Sequence, residues 1–549
     1  MSIAKSMSIA SVVRAAAERF GARVAVRDDA RSLTFAALSD RVHGMAAGLA
    51  GHGIPPNATV AVLLPNSVAA VEVDLALTIG GYVRVALNPR VGPRDWARVL
   101  TDCRPAALIV DPAVEGAAEF ARAADTPVIV PNTGRTTDIG GDGSSGRNGT
   151  PGEFVSLEDI IASAPPRVRL PEPAPDTLCA LHYSSGTTGL PKGAMRTHAN
   201  RLTSLRGMLD HVLAGTMDGP EPPVFVHAGP VIHTSGLFVL PFLASGGEQV
   251  LLDHIRPAEM IGAVAANGGT HTALVPTVIA RLLDHTDEEL APLRRLRMLA
   301  YAGAPMPVEH IRQAYRRITP NLVQYYGMVE AIPPLTVLDI ADHHRGMTRD
   351  ESILAAIGRP CAGVRLEIRD GDNAVADGRV GELVIAGPSV SPGYHDAGTR
   401  TDLGKSHRDG RLHSGDLGFR SADGYLHLTG RAEDMIITGG YNVYPREVEQ
   451  ALLDIDGLTD AAVAGLDDPV WGQRIVAAYT TAPDSELTDD EVLRRCRAAL
   501  PGYKRPKLVR RVPALPSTAL GKVDRAAVAR LLAITPDLAT TPDLATTPE

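Results

Sequence analysis

With 549 residues, 44% of them hydrophobic and 21% charged, the chain has ordinary globular composition and enough length for several cores, which excludes a single small domain. Its 54 Lys and Arg against 63 Asp and Glu leave a net charge of -9, so it lacks the basic excess with which nucleic-acid binders neutralise phosphates. Four widely spaced cysteines, Cys103, Cys179, Cys361 and Cys496, form no CxxC pair and read as reduced, buried thiols.

The N-terminus carries only Lys5 before a helix-like stretch from Val12 to Phe20. It has neither the apolar centre nor the cleavage site of a secretory signal, which points to the cytoplasm. From Ser32 to Pro89, helix-like stretches such as Phe35 to Ala50 alternate with β-rich runs such as Thr59 to Leu64, and Leu108 to Val110 continues the series. This rhythm predicts an α/β fold whose largely parallel sheet is covered by helices on both faces. Residues 132–152, rich in Gly, Ser, Thr and Asn, break the pattern and read as a surface loop.

The longest apolar stretch, Gly236 to Gly247, contains Pro241 and is much shorter than the ~20 residues of a membrane helix, so it reads as core and no membrane span is expected. After Gly430 to Gly440, the stretches Pro445 to Leu453, Ala461 to Leu466, Arg474 to Tyr479 and Thr488 to Leu500 alternate helix and strand, as in a separate small α+β domain of roughly 100 residues. The expected division is a large domain over 1–430, a small mobile one over 431–534, and a disordered tail over 535–549, where TPDLAT occurs twice.

Most of the chemistry is concentrated in Tyr183-Ser184-Ser185-Gly186-Thr187-Thr188-Gly189-Leu190-Pro191-Lys192-Gly193, which follows the apolar run Leu178 to Leu181. Glycines let backbone N–H groups approach a ligand, hydroxyls add donors, and Lys192 adds a mobile positive charge, a combination suited to phosphate oxygens. The segment is not a Walker loop, because glycine follows Lys192.

This segment resembles the signature loop of the adenylate-forming superfamily of acyl-CoA synthetases, peptide-synthetase adenylation domains and luciferases. Further segments resemble that family's motifs in its order: Pro230 to Gly236, Ala302-Gly303-Ala304-Pro305, Gln324 to Glu330, Gly381-Glu382 through Tyr394, Ser414-Gly415-Asp416, Gly430-Arg431 through Asn442, and Pro516 to Arg525. The likeness spans about Ser32 to Arg525. It implies a large multi-sheet α/β adenylate-forming domain with a small mobile C-terminal α+β domain.

It also implies an ATP-dependent, AMP-forming acyl-CoA ligase with ATP, Mg²⁺ and coenzyme A as cofactors. On the matching positions, Ser184, Ser185, Gly186, Thr187, Thr188, Gly189 and Lys192 would hold the triphosphate. Gly303, Ala304, Pro305, Tyr325, Tyr326 and Gly327 would line the adenine side. Glu330 would bind Mg²⁺, Asp416 and Arg431 the ribose hydroxyls, and Lys522 would reach the reacting carboxylate and α-phosphate, with Lys192, Thr188, Glu330 and Lys522 the catalytic set. His233, Thr234, Ala302, Gly327 and Val329 would line the acyl pocket. Glu433 sits at a hinge position, and rotation there would turn Gly440 towards the pantetheine thiol.

Taken alone, Lys522 reads as a solvated lysine, Asp416 as a turn residue, Glu330 as a helix-start charge and His233 as a core histidine. Val329 stands where the family usually has Thr or Ser, so one neutral donor to the adenylate is absent, worth about 0.5–1.5 kcal/mol. With aromatic residues at 4%, no long greasy tunnel is evident, and a small or aromatic acid is the expected substrate. An acyl carrier protein is the alternative acceptor and nitrite the alternative oxyanion, as in an ATP-dependent diazotase; a homodimer is an open assembly.

Overall fold

The computed structural model describes residues 8–131, 154–164, 170–184, 192–253, 256–395, 406–482, 485–518 and 523–533. The chain forms two compact units, one of residues 1–378, 383–414 and 420–427, the other of residues 379–382, 415–419 and 428–549. The expected loop at 132–152 and the tail beyond 534 lie outside the described residues.

The large unit contains two largely parallel sheets, beside strands such as Arg365–Asp370 of a third, antiparallel one. A seven-stranded sheet runs in the order Phe154–Ser156, Val128–Val130, Ala107–Val110, Thr59–Leu63, Val83–Ala86, Leu178–Ser184, Lys192–Thr197, and all neighbours are parallel except the last pair. A nine-stranded sheet has a parallel centre from Leu322–Met328 through Met298–Tyr301, His271–Leu274, Val224–His227 and Glu248–Leu251 to Val24–Arg27, with antiparallel strands at both ends. The parallel runs are apolar on both faces because helices cover both sides.

One core cluster joins residues of both sheets (Val60, Val62, Ala25, Val26) to the helices Ile9–Phe20, Phe35–Gly51 and Val68–Ile79. The helix Val68–Ile79 is buried almost all round, as expected of a helix that is apolar on every side. Its two acids, Glu72 and Asp74, therefore need cationic partners; Glu72 has them in Arg31 and Arg41. The apolar stretch from Gly236 is core, with Val239 to Leu243 buried in the helix Val239–Ser245. All four cysteines are free and buried, and burial pushes the thiols of Cys103 and Cys361 up to about 12.

The small unit holds a sheet centred on Gly472–Thr481, which pairs antiparallel with the edge strand Leu458–Asp468 in a long hairpin and with Ile436–Thr438, and parallel with Leu508–Arg511. The helices Pro445–Leu453 and Asp489–Ala499 pack on it through Val448, Leu452, Val492 and Cys496. Pro445 occupies the first helical turn, where its missing N–H costs nothing.

Candidate active site

The phosphate-loop segment is a hairpin. Leu178–Ser184 leads in and Lys192–Thr197 returns antiparallel, with Ser184 opposite Lys192 and Tyr183 opposite Gly193. Ser185, Gly186, Thr187, Thr188, Gly189, Leu190, Pro191 and the side chain of Ser184 lie outside the described residues, so what is seen is the base of the loop. That base is firmly held: Tyr183 Oη donates to Asp102 Oδ2 at 2.5 Å. The returning strand is flanked by residues 393–395, where Met195 N donates to Gly393 O at 2.9 Å and His395 N to Gly193 O at 2.8 Å.

Glu330 does not start a helix, contrary to the reading of that residue in isolation. Leu322–Met328 and Ala331–Leu338 pair antiparallel with Met328 opposite Ala331, which leaves Val329 and Glu330 as a two-residue turn. The β-rich composition on either side favours the ladder over a helix. Tyr394 Oη donates to Glu330 Oε1 at 2.6 Å, and Ser391 N donates to Glu330 O at 2.8 Å. Because Tyr394 belongs to the segment beside Lys192–Thr197, it ties the Glu330 turn to the phosphate-loop hairpin. The Val329 side chain packs with Ala194 and Tyr394, an apolar contact that a hydroxyl there would not improve. Tyr394→Phe keeps this packing and loses one donor to a charged acceptor; kcat is expected to fall ~10-fold with the melting temperature nearly unchanged. An unaltered kcat would show that Glu330 needs no orienting.

The pocket wall is shaped by a short turn. Asn66 donates to Gly229 O at 2.8 Å and accepts from Val231 N at 2.8 Å, fixing the residues that precede His233. Thr234 opens the 3₁₀ turn Thr234–Phe238; behind it, Ser235 Oγ is 2.8 Å from His227 Nδ1. Val231, Ile232, His233, Gly236 and Leu237 line a cleft. Ala302 is buried at the end of Met298–Tyr301, and Gly303, Ala304 and Pro305 form the loop after it, with Gly303 at φ +91°. On Leu322–Met328, Tyr325 is buried edge-on to Phe238 at 6.1 Å, whereas Tyr326, opposite Thr336, and Gly327 are half-buried.

In the small unit, Asp416 is buried in the middle of the strand Arg411–Arg420, not in a turn. Arg431 Nε lies 2.9 Å from Asp416 Oδ1 and its Nη1 3.6 Å from Glu433 Oε1, so the pair expected at the ribose is assembled. Gly439 and Gly440 make a two-residue turn between Ile436–Thr438 and Tyr441–Val443, both with positive φ, as a tight hairpin requires. Lys522 lies outside the described residues; the segment containing it is closed by a bridge between Ser517 and Val523.

The same cleft holds titratable residues that motif reading passed over: Asp74, Arg84, His182, Arg196 and Arg201. Arg201 makes a two-pronged pair with Asp74, and Arg84 Nε lies 3.0 Å from Asp74 Oδ1. Arg196 Nη1 is 3.1 Å from His182 Nε2, and its Nη2 donates to Val329 O at 3.3 Å. A usable signal was present, since an acid inside the apolar helix VAAVEVDLALTI and an arginine inside the strand VRVA both demand buried partners.

Residues 13–395 match the AMP-binding enzyme family, and residues 447–522 match the AMP-binding enzyme C-terminal domain. The chain is 35% identical over 508 residues to a feruloyl-CoA synthase of Amycolatopsis sp, covering 92% of this chain and 95% of that one. It is 30% identical over 507 residues to the medium/long-chain-fatty-acid–CoA ligase FadD8 of Mycobacterium tuberculosis, covering 90% and 85%. Its structure is similar to that of the amide bond synthetase McbA from Marinactinospora thermotolerans, with a TM-score of 0.82 and 29% identity over 95% of this chain and 99% of that one. No helix among the described residues is long and apolar enough to cross a membrane.

Proposed function

The chain belongs to the AMP-binding enzyme family, and from that premise we propose that it is an AMP-forming acyl-CoA ligase for a small or aromatic carboxylic acid. ATP and the acid give an acyl-adenylate and pyrophosphate; the thiol of coenzyme A then takes the acyl group and AMP leaves. The observation that carries this reading is the junction at Tyr394, which joins the base of a Ser/Thr/Gly/Lys loop to a carboxylate on a neighbouring turn. Relatives of similar identity are named for acids as different as ferulate and long-chain fatty acids, so family membership alone does not select the acid.

In the first step a carboxylate oxygen attacks the α-phosphorus in line and the bond to pyrophosphate breaks, building negative charge on phosphoryl oxygens. Lys192, at the exit of the loop, and Lys522 supply positive charge where that charge develops. Asp416, its carboxylate oriented by Arg431, accepts hydrogens from the ribose diol. Mg²⁺ characteristically takes one or two protein carboxylates and completes its shell with phosphate and water. Glu330 on its turn fits that habit, and no group of three or more His, Cys, Asp or Glu among the described residues could hold an ion by itself. A bound ion would neutralise phosphate charge. In the second step the thiolate attacks the acyl carbonyl carbon and AMP departs.

Likeness to an amide bond synthetase favours one second reading, in which an amine takes the acyl group in place of the thiol. Pyrophosphate release by the full chain with ATP, Mg²⁺ and a panel of small aliphatic, aryl and amino-aryl acids, each with coenzyme A, with an amine or with neither, separates the two. Multiple turnover is expected only with an acid and coenzyme A together, and Lys522→Ala is expected to lower it at least ~100-fold. Turnover with the amine alone selects the second reading. Release that needs nitrite and no acid, or that Lys522→Ala leaves intact, overturns both.

A further inference from the structure

The cleft beside His233 carries more positive charge than its own walls neutralise. Three guanidinium groups, of Arg84, Arg196 and Arg201, line it against one carboxylate, Asp74. Arg201 consumes Asp74 with both prongs and also donates to Thr78 Oγ1. Arg84 is buried, and its Nε, although 3.0 Å from Asp74 Oδ1, is out of line for a hydrogen bond and finds no other acceptor among the described residues. Arg196 is buried, and the two acceptors it meets, the His182 ring and the Val329 carbonyl, are both neutral. His182 cannot share a negative charge. Burial, reinforced by Arg196 and Arg84, holds it well below its usual range and hence neutral. Burial draws Arg196 down to about 10, which still leaves it charged at neutral pH. Glu330 acts on Arg196 from a distance, but it is bonded to Tyr394 and does not line the cleft.

A buried cation without a counter-charge costs free energy that a bound anion returns. Apart from Ser204 and His233, the remaining walls, among them Ala180, Leu205, Leu237, Leu240 and Ile332, are apolar, so the cleft suits a short hydrocarbon or ring ending in an anion. We propose that Arg84 and Arg196 form an anion subsite in the acyl pocket, and that the acid this enzyme activates carries a second anionic oxygen group, a carboxylate or a sulfonate, remote from the carboxylate that reacts. Arg196 reaches this role from the strand that begins at Lys192, and its contact with the Val329 carbonyl joins the subsite to the Glu330 turn. A planar guanidinium meets either oxyanion with two parallel N–H bonds.

The inference rests on the ligase reading, and the test keeps the two apart. Pyrophosphate release by the wild-type chain with coenzyme A is compared for hexanoate against adipate and for 4-methylbenzoate against 4-sulfobenzoate. The second anion is expected to raise kcat/KM at least ~10-fold, the scale of one charge-assisted bond. Arg196→Gln and Arg84→Gln should each shrink that preference ~10-fold while the rate with the uncharged partner acid changes less. Benzene-1,4-disulfonate, which has no carboxylate to react, should raise the melting temperature of the wild type and not of Arg196→Gln. Turnover that favours hexanoate and 4-methylbenzoate, or is indifferent, overturns the subsite and leaves the ligase standing. Stabilisation by the disulfonate without turnover of any acid overturns the ligase reading and leaves an anion site. If the variants do not fold, the wild-type comparison decides.

Discussion

Lowering the pH from 7 to 5 is expected to unfold the large unit before the small one. Four buried histidines of the large unit are held neutral, His198 and His343 at about 4 and His227 and His271 at about 3, with burial the main cause in each. Their neighbours suit a neutral ring. His227 lies between Ser235 Oγ and Gln249 Oε1, His271 between Thr270 Oγ1 and Thr216 Oγ1, and His343 between Asp339 O and Tyr301 Oη. Because each folded pKa lies below the unfolded value of 6.5, the unfolded chain binds more protons between the two. The associated stability is present in full above about pH 6.5 and is lost as the pH falls towards 4.

One ring costs about 1.4 kcal/mol per pH unit over that window, so the four rings cost roughly 8 kcal/mol by pH 5, comparable with a whole domain's stability. No histidine occurs in the small unit. The protein's two tryptophans separate the responses, since Trp96 is buried in the large unit and Trp471 lies half-exposed in the small one. Fluorescence of Trp471→Phe should report a transition above pH 5, and Trp96→Phe should report one at lower pH. A Trp96 signal that is flat down to pH 5 would sink the argument.

What the sequence made legible follows from how local each signal is. Thr59–Leu63 and Pro445–Leu453 were readable to within about a residue because an apolar run, or a proline followed by an amphipathic stretch, carries its own boundary. The phosphate-loop hairpin was readable from one end only. Its strand at Leu178 is apolar, but the return at Lys192 begins with a charge and a glycine, and pairing across the loop fixes it. Glu330 and Asp416 were misread in isolation because a turn or a strand interior depends on what pairs with the flanks. The arginine cluster is the clearest gap. Asp74, Arg84, Arg196 and Arg201 come from a helix, two strands and a second helix, so no window of sequence contains the network; only the cost of burying each charge announces that partners exist somewhere.

Gly236→Ala is expected to abolish most acid-dependent turnover, and the reason is backbone geometry. A Cβ at this position would stand 2.0 Å from the Val231 carbonyl oxygen and 3.0 Å from its carbonyl carbon, a collision with main chain that no rotamer change relieves. Gly236 N donates to His233 O at 3.0 Å, and His233 N to Pro230 O at 3.0 Å, so the clash is transmitted directly to the turn that presents His233 to the cleft. Moving a substrate-positioning wall by about 1 Å costs about 100-fold in rate, and forcing extra volume into packed structure costs about 1–3 kcal/mol in stability. ATP-dependent stabilisation should persist, because the phosphate-loop hairpin and Glu330 turn are held by Tyr183, Tyr394 and their own ladders, none of which passes through Gly236.

Gly262→Ala supplies the control. In the helix Pro257–Ala266 an added Cβ meets nothing within 4 Å, and replacing a helical glycine with alanine should stabilise by about 0.5–1 kcal/mol. Melting temperature and kcat/KM for the best acid, measured on both variants, distinguish a local collision from general intolerance of alanine. If Gly236→Ala turns over acids as fast as Gly262→Ala, the 231–236 turn is not part of the acyl pocket, and the assignment of His233 and Thr234 to that pocket falls with it.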